Sequence, residues 1–168
     1  MGTDLFIGFD PGLTGAGAIV HGQSAVLFDL PTRAFGKGTG KVKAEVDPVG
    51  LLGVLVIQMT RFPARGARVR AIVERTASRP GQGVASMYSM GFSRGVILGV
   101  LAGHGITARD VEPAKWKAAF GLIGAPKEES LRVARELYPF CEHDLRLAKH
   151  HNRAEALLLA HYLKGIAA

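Results

Sequence analysis

The sequence predicts an α/β domain with a mixed five-stranded sheet flanked by helices. Three observations carry the α/β prediction. Three short apolar stretches near the N-terminus are separated by glycine turns and can pair antiparallel. Two further apolar stretches, ending near residues 74 and 111, alternate with helical segments, which places helices on the sheet faces. The 168 residues suit one domain, 1–168, large enough to bury a core without staples.

The elements follow in order. Residues 5–10 form a short apolar run, read as a buried strand. Gly12, Gly15 and Gly17 permit a tight turn after it. Residues 16–21 and 24–30 read as two more strands joined at Gly22-Gln23, a hairpin signal. Residues 31–46 are polar, with Gly36, Gly38 and Gly40 among lysines, and read as a mobile basic loop. Asp47-Pro48 starts a helix, because Asp caps it and Pro is tolerated at its first position. Leu51, Leu52, Leu55, Val56 and Met59 form the apolar face of that helix.

Residues 70–74 read as the fourth strand and 75–83 as a Ser/Pro/Gly-rich loop. A long helix over 84–103 carries Gly91, Gly95 and Gly99 four apart, hence on one face. Residues 106–111 read as the fifth strand. Pro113 opens a short helix, and Pro126 opens another that Pro139 ends. The last helix runs from about 150 to 164.

Hydrophobic content of 48% and charged content of 21% are ordinary for a globular protein. No apolar run reads as long enough to cross a bilayer, since Gly, His, Arg or Asp interrupts each one. No signal-peptide pattern precedes the first strand. Cys141 is the only cysteine, so no internal disulfide forms. The expected setting is intracellular, with no membrane partner. A net charge of +7 and a pI near 9.9 favour a polyanionic partner. The basic residues cluster at Arg33, Lys37, Lys41 and Lys43, and again at Arg61, Arg65, Arg68 and Arg70.

Asp10 and Glu74 close two apolar strands, where an acid is costly unless it is paired or bound to a cation. Asp10 followed by Pro11-Gly12 also fits an ordinary turn, and Glu74 also fits a salt bridge to Arg75 or Arg94. His151 and Glu155 lie four apart and share one helix face. Asn152 competes with His151 as a ligand. Adjacent carboxylates repel, and a divalent ion relieves that repulsion. In a basic chain the set points to metal-dependent chemistry on a phosphate backbone. The Asp10-Gly12-Thr14-Gly15 turn also fits a phosphate-binding hairpin of the actin and sugar-kinase ATPases. That phosphotransferase fold needs two such domains, for which 168 residues leave no room.

The chain resembles the RuvC-type Holliday junction resolvases of the RNase H-like superfamily, nearest to phage-type and plant chloroplast members. The residues that carry the resemblance span nearly the whole sequence. They are Ile7-Gly8-Phe9-Asp10-Pro11-Gly12 with Thr14-Gly15, then Val73-Glu74 with Pro80-Gly81-Gln82-Gly83. Met87-Tyr88-Ser89-Met90-Gly91-Phe92 follows, with Val111-Glu112-Pro113, Trp116-Lys117, Lys127 and Arg153-Ala154-Glu155-Ala156-Leu157-Leu158-Leu159-Ala160. The resemblance implies that Asp10, Glu74 and Glu155 are metal-binding carboxylates. It also implies a homodimer, four-way or branched DNA as substrate, and a bacterial cytoplasm or phage-infected host as the setting. The fourth family position is often Asp. Here it falls to His151 or Asn152, and His151 is favoured because it lies one turn before Glu155.

The expected chemistry is phosphodiester hydrolysis with two Mg²⁺ ions about 4 Å apart, Mn²⁺ substituting. His151 would act as ligand or general base. Lys37, Lys41, Lys43, Lys115, Lys117 and Lys127 are candidate phosphate contacts. Arg79 and Gln82 are candidates for touching the exchange point. The plainer readings are a solubilising loop for the first three lysines and a buried Trp116 between solvated lysines. Met87, Tyr88 and Phe92 could stack on an unpaired base, or belong to the core or a dimer interface. A second functional class is a branched-DNA-binding module that does not cut, with Asn152 as a lost acid.

Overall fold

A computed structural model describes residues 4–35, 43–62, 66–76, 81 and 83–167. Among the described residues there are seven strands and five helices, two strands more than the sequence predicts. The strands are β1 (Leu5–Asp10), β2 (Ala16–His21), β3 (Ser24–Asp29), β4 (Thr32–Phe35), β5 (Lys43–Val46), β6 (Val69–Glu74) and β7 (Ala108–Val111). The helices are α1 (Pro48–Thr60), α2 (Val84–Gly103), α3 (Pro113–Ala119), α4 (Lys127–Leu137) and α5 (His151–Ala167). Two 3₁₀ segments, Pro139–Leu145 and Ala148–His150, link α4 to α5.

The main sheet has five strands in the order β3-β2-β1-β6-β7. β1 pairs antiparallel with β2 and parallel with β6, and β6 pairs parallel with β7. The sheet is therefore mixed, as expected. Strand periodicity explains the rest. Successive side chains alternate between faces. Leu5, Ile7 and Phe9 of β1 join Ala71 and Val73 of β6 in one core beneath α1 and α2. Phe6 and Ile72 face the other way, into a core with Trp116, Leu157, Leu158 and Ala160. Both faces of β1 are covered, so it reads as an unbroken apolar run. The same parity sends Asp10 and Glu74 to the α5 side.

Gly8 lies on that side too. A Cβ there would come within 3.0 Å of the Ala156 carbonyl and the Ala160 nitrogen. Only glycine lets α5 lie this close to β1. Small residues along the helix, Ala156 and Ala160, are fully buried in the same contact.

Three expectations change. Residues 31–46 are not simply a loop: β4 and β5 pair antiparallel, and Arg33 bridges Glu45 across them at 2.9 Å. The strands are four residues each and charged, which hides them from a search for apolar runs. α4 stops at Leu137, and Pro139 opens a 3₁₀ segment instead of merely ending a helix. The third change concerns α2, which by length and composition alone is apolar enough to cross a membrane. Arg94, its one charge, pairs with Asp110 of β7 at 2.5 Å. Ser93, Ile97 and Leu101 form its buried face, and the core beneath the sheet includes the last two.

Candidate active site

The C-terminal ends of β1 and β6 and the first turns of α5 converge on one side of the sheet. Phe9 pairs with Val73, so Asp10 and Glu74 are the next residues on neighbouring parallel strands. Glu155 reaches them from α5. The carboxyl of Asp10 is pushed well above its usual range by burial, then by the negative charges of Glu74 and Glu155. Lys117 and Lys127 pull it back down. Glu74 and Glu155, from two separate elements, thus both lie within Coulombic reach of Asp10.

A cleft of about 240 Å³ opens beside Asp10. Its walls include Gly12, Thr14, Lys117, Lys127, His151, Asn152 and Glu155. The Gly12–Gly15 turn forms one lip, closed by the Gly15 amide donating to the Gly12 carbonyl at 3.1 Å. A side chain at position 15 would collide with the Asp10 carbonyl.

Each acid has neighbours that hold it. Glu74 Oε2 accepts the indole N–H of Trp116 at 2.7 Å. Glu155 Oε1 accepts from Lys117 Nζ at 3.2 Å and from the buried Ser130 hydroxyl at 3.3 Å. The two arginines considered as partners for Glu74 pair elsewhere: Arg75 meets Glu112 at 3.6 Å and Arg94 meets Asp110. Trp116 is buried, as expected, but it also touches the acidic site, which residue spacing does not reveal.

His151 and Asn152 behave differently. His151 Nδ1 lies 3.2 Å from the Ala148 carbonyl, which can only accept, so Nδ1 carries the ring proton. Nε2 then presents its lone pair, 3.4 Å from Lys127 Nζ. A ligating histidine commonly donates its other N–H to a backbone carbonyl in this way. Asn152 instead donates through Nδ2 to the Thr14 carbonyl at 2.5 Å and to its hydroxyl at 3.1 Å. It ties α5 to the turn after Asp10.

Of the candidate phosphate contacts, Lys117 and Lys127 line the cleft, and Lys115 is exposed on α3. Lys43 begins β5. Lys37, Lys41, Arg79 and Gln82 lie outside the described residues. Sequence reasoning missed Ser130, whose only signal is its position three residues after Lys127.

The donor set suits a divalent cation by chemistry, with carboxylate oxygens and one imidazole nitrogen. Burial, and after it the charges of Glu74 and Glu155, raise the Asp10 carboxyl, and a bound cation would favour its charged form. Among the described residues, no three His, Cys, Asp or Glu side chains close on a single point. The ammonium of Lys117 is the cation in contact with Glu155.

Known proteins share this arrangement of strands. Thermus thermophilus RuvC, in a structure with a Holliday junction substrate, superposes over 98% of this chain and 94% of its own, with a TM-score of 0.61 and 18% identity. The fold is RNase H-like, as in RuvC. In sequence, the chloroplastic Holliday junction resolvase MOC1 of Chlamydomonas reinhardtii is 39% identical over 103 residues, 61% of this chain. The chain matches 12% of that relative's length. No family model matches. The chain thus resembles RuvC in fold and, over 61% of its length, a Holliday junction resolvase in sequence.

Proposed function

We propose that the protein is a metal-dependent, structure-selective endodeoxyribonuclease that resolves four-way DNA junctions. One observation carries this reading: three carboxylates, Asp10, Glu74 and Glu155, gathered beside a lysine-walled cleft on a RuvC-like sheet. In this reading Asp10, Glu74, Glu155 and His151 hold Mg²⁺ or Mn²⁺, two ions per site. Bound metal would lower the pKa of water and stabilise the leaving oxygen. The protein's own groups do the rest. His151 Nε2, with its lone pair toward the cleft, accepts a proton or binds metal. Lys117 and Lys127 hold the scissile phosphate, and Lys115 a neighbouring one. Lys37, Lys41 and Lys43 are assigned to a junction arm, and Arg79 and Gln82 to the exchange point. Tyr88 is 60% exposed and stacks on Phe92 with ring centroids 6.1 Å apart. That exposed ring suits an unpaired base.

The deciding experiment incubates the purified protein with a four-way junction and with matched duplex, in Mg²⁺ and in Mn²⁺. Paired nicks in opposed strands of the junction alone are expected. Junction binding without nicks in either metal would overturn the enzyme. The Lys117–Glu155 contact favours the second reading, a branched-DNA-binding module whose acids stay paired, and that result would establish it.

His151→Ala is expected to cut turnover with Mg²⁺ by roughly 100-fold, the scale of one acid–base group. Near-normal cleavage by this variant would remove His151 from the site, and comparison with Asn152→Ala separates ligand from turn clamp.

Opposed cuts on a nearly two-fold junction call for a C₂ homodimer. The glycine face of α2 is the proposed interface, since a Cβ at Gly91, Gly95 or Gly99 would meet nothing within 4 Å. Gly95→Ala should therefore stabilise the separate protomer by about 1 kcal/mol through helix propensity. It should also weaken a dimer closed over that face. Sedimentation at several concentrations, alongside thermal melts, reads both effects. An unchanged dimer would place the interface elsewhere.

A further inference from the structure

We infer that Trp116 is a positioning residue for the acidic site, acting through Glu74; this rests on the metal-dependent reading above. Trp116 is the chain's single tryptophan, and it is fully buried. Its indole can donate one hydrogen bond and accept none. A buried indole N–H needs a partner, and here the partner is the Glu74 carboxylate, 2.7 Å away.

The backbone delivers this contact. Glu74 pairs with Val111 across β6 and β7, and the Arg75 amide donates to the Val111 carbonyl at 2.8 Å. Two residues later Pro113 starts α3, whose first turn brings Trp116 back over the strand end. The ring is then held edge-on by Phe120, 6.3 Å between centroids. Phe120 packs against His161 at 5.9 Å, and His161 shares a hydrogen bond with Tyr138 at 2.9 Å. The donor is therefore set in a packed aromatic row and has little freedom to move.

The neighbouring residue makes the division of labour plain. Lys117 contacts Glu155 and sits 5.2 Å from the Trp116 ring centroid. Consecutive residues of one short helix hold two different acids, one by a neutral donor and one by a cation. A neutral N–H orients Glu74 without adding a positive charge of its own beside the acid. A lysine in that place would compete with the metal. Outer partners of this kind typically change metal affinity or activity about 10–100-fold when removed.

Two measurements test the role. In the first, wild-type protein freed of metal is titrated with Mg²⁺ while tryptophan emission and calorimetric heat are followed. The emission is expected to change with the same half-saturation as the heat. Binding heat with silent emission would overturn the proposal without any variant. In the second, Trp116→Phe keeps an aromatic ring and removes the N–H. With its fold checked by circular dichroism, it should bind Mn²⁺ about 10–100-fold more weakly in calorimetry without DNA. Its KM for junction should stay within about twofold while kcat falls at limiting metal. A purely structural role would lower the melting temperature and leave Mn²⁺ affinity alone; equal affinity in the two proteins would overturn the assignment and leave the nuclease reading standing. If wild type binds neither Mg²⁺ nor Mn²⁺, both fall.

Discussion

Asp10→Asn is expected to abolish junction cleavage, by on the order of 1,000-fold or more, while stabilising the metal-free protein at neutral pH. The two effects share a cause. Burial and the charges of Glu74 and Glu155 raise the Asp10 carboxyl well above its usual range. A raised carboxyl binds its proton more tightly in the folded state than in the unfolded one. Folding stability then falls as pH rises from the unfolded value near ~3.9 through the raised value, and stays reduced above it. Asparagine has nearly the same shape and no charge, so it removes the penalty. It also removes an oxygen ligand. Added Mg²⁺ should raise the melting temperature of the wild type, by mass action on the folded state, and leave Asp10→Asn unmoved. Calorimetric scans at several pH values, with and without Mg²⁺, check all of this. A variant that is less stable than wild type at neutral pH would contradict the electrostatic account. Asp29 provides an internal contrast. Its hydrogen bond from Arg153 lowers its carboxyl, so its contribution is present above ~3.9 and lost as pH falls below that value.

The second large effect is on folding. Gly8→Ala is expected to cost about 3 kcal/mol or more, at the upper end of what overpacking does. The added methyl would meet the Ala156 carbonyl and the Ala160 amide nitrogen, which are backbone atoms of α5 and cannot swing aside. To make room the whole helix must lift, and Glu155 lifts with it. Urea unfolding measures the loss, and cleavage by whatever fraction stays folded should fall as well. A loss below about 1 kcal/mol would mean that α5 does not lie this close to β1.

The contrast between these two positions shows what a reader of the sequence can see. Asp10 was legible because an acid at the end of an apolar run breaks a pattern that burial enforces, and Glu74 was legible for the same reason. Glu155 needed the four-residue spacing to His151. The five strands of the main sheet could be read because each is a short apolar run bounded by turn residues, and the helices because of their apolar spacing and the prolines and Asp that open them. β4 and β5 could not, since short charged strands carry no such period. Nor could the role of Trp116. An indole that fills a core and one that also donates to a carboxylate look alike in sequence, and only the pairing of β7 with β6 brings this one to Glu74. The different hydrogen bonds of His151 to Ala148 and of Asn152 to Thr14 depend on how α5 begins, and residue spacing does not reveal them.

The bond from Asn152 to Thr14 spans 138 residues of chain, and it has a consequence for the order of events during synthesis. A ribosome releases β1 and its acid long before α5 has been made. Until that last helix emerges and settles on Gly8, the nascent protein has no wall opposite the Gly12–Gly15 turn and no Glu155. Long-range closure of this kind is slow compared with local helix formation. The cleft therefore matures only after α5 has docked, and a chain that stalls before α5 carries the strands of the sheet without the wall that holds His151 and Glu155.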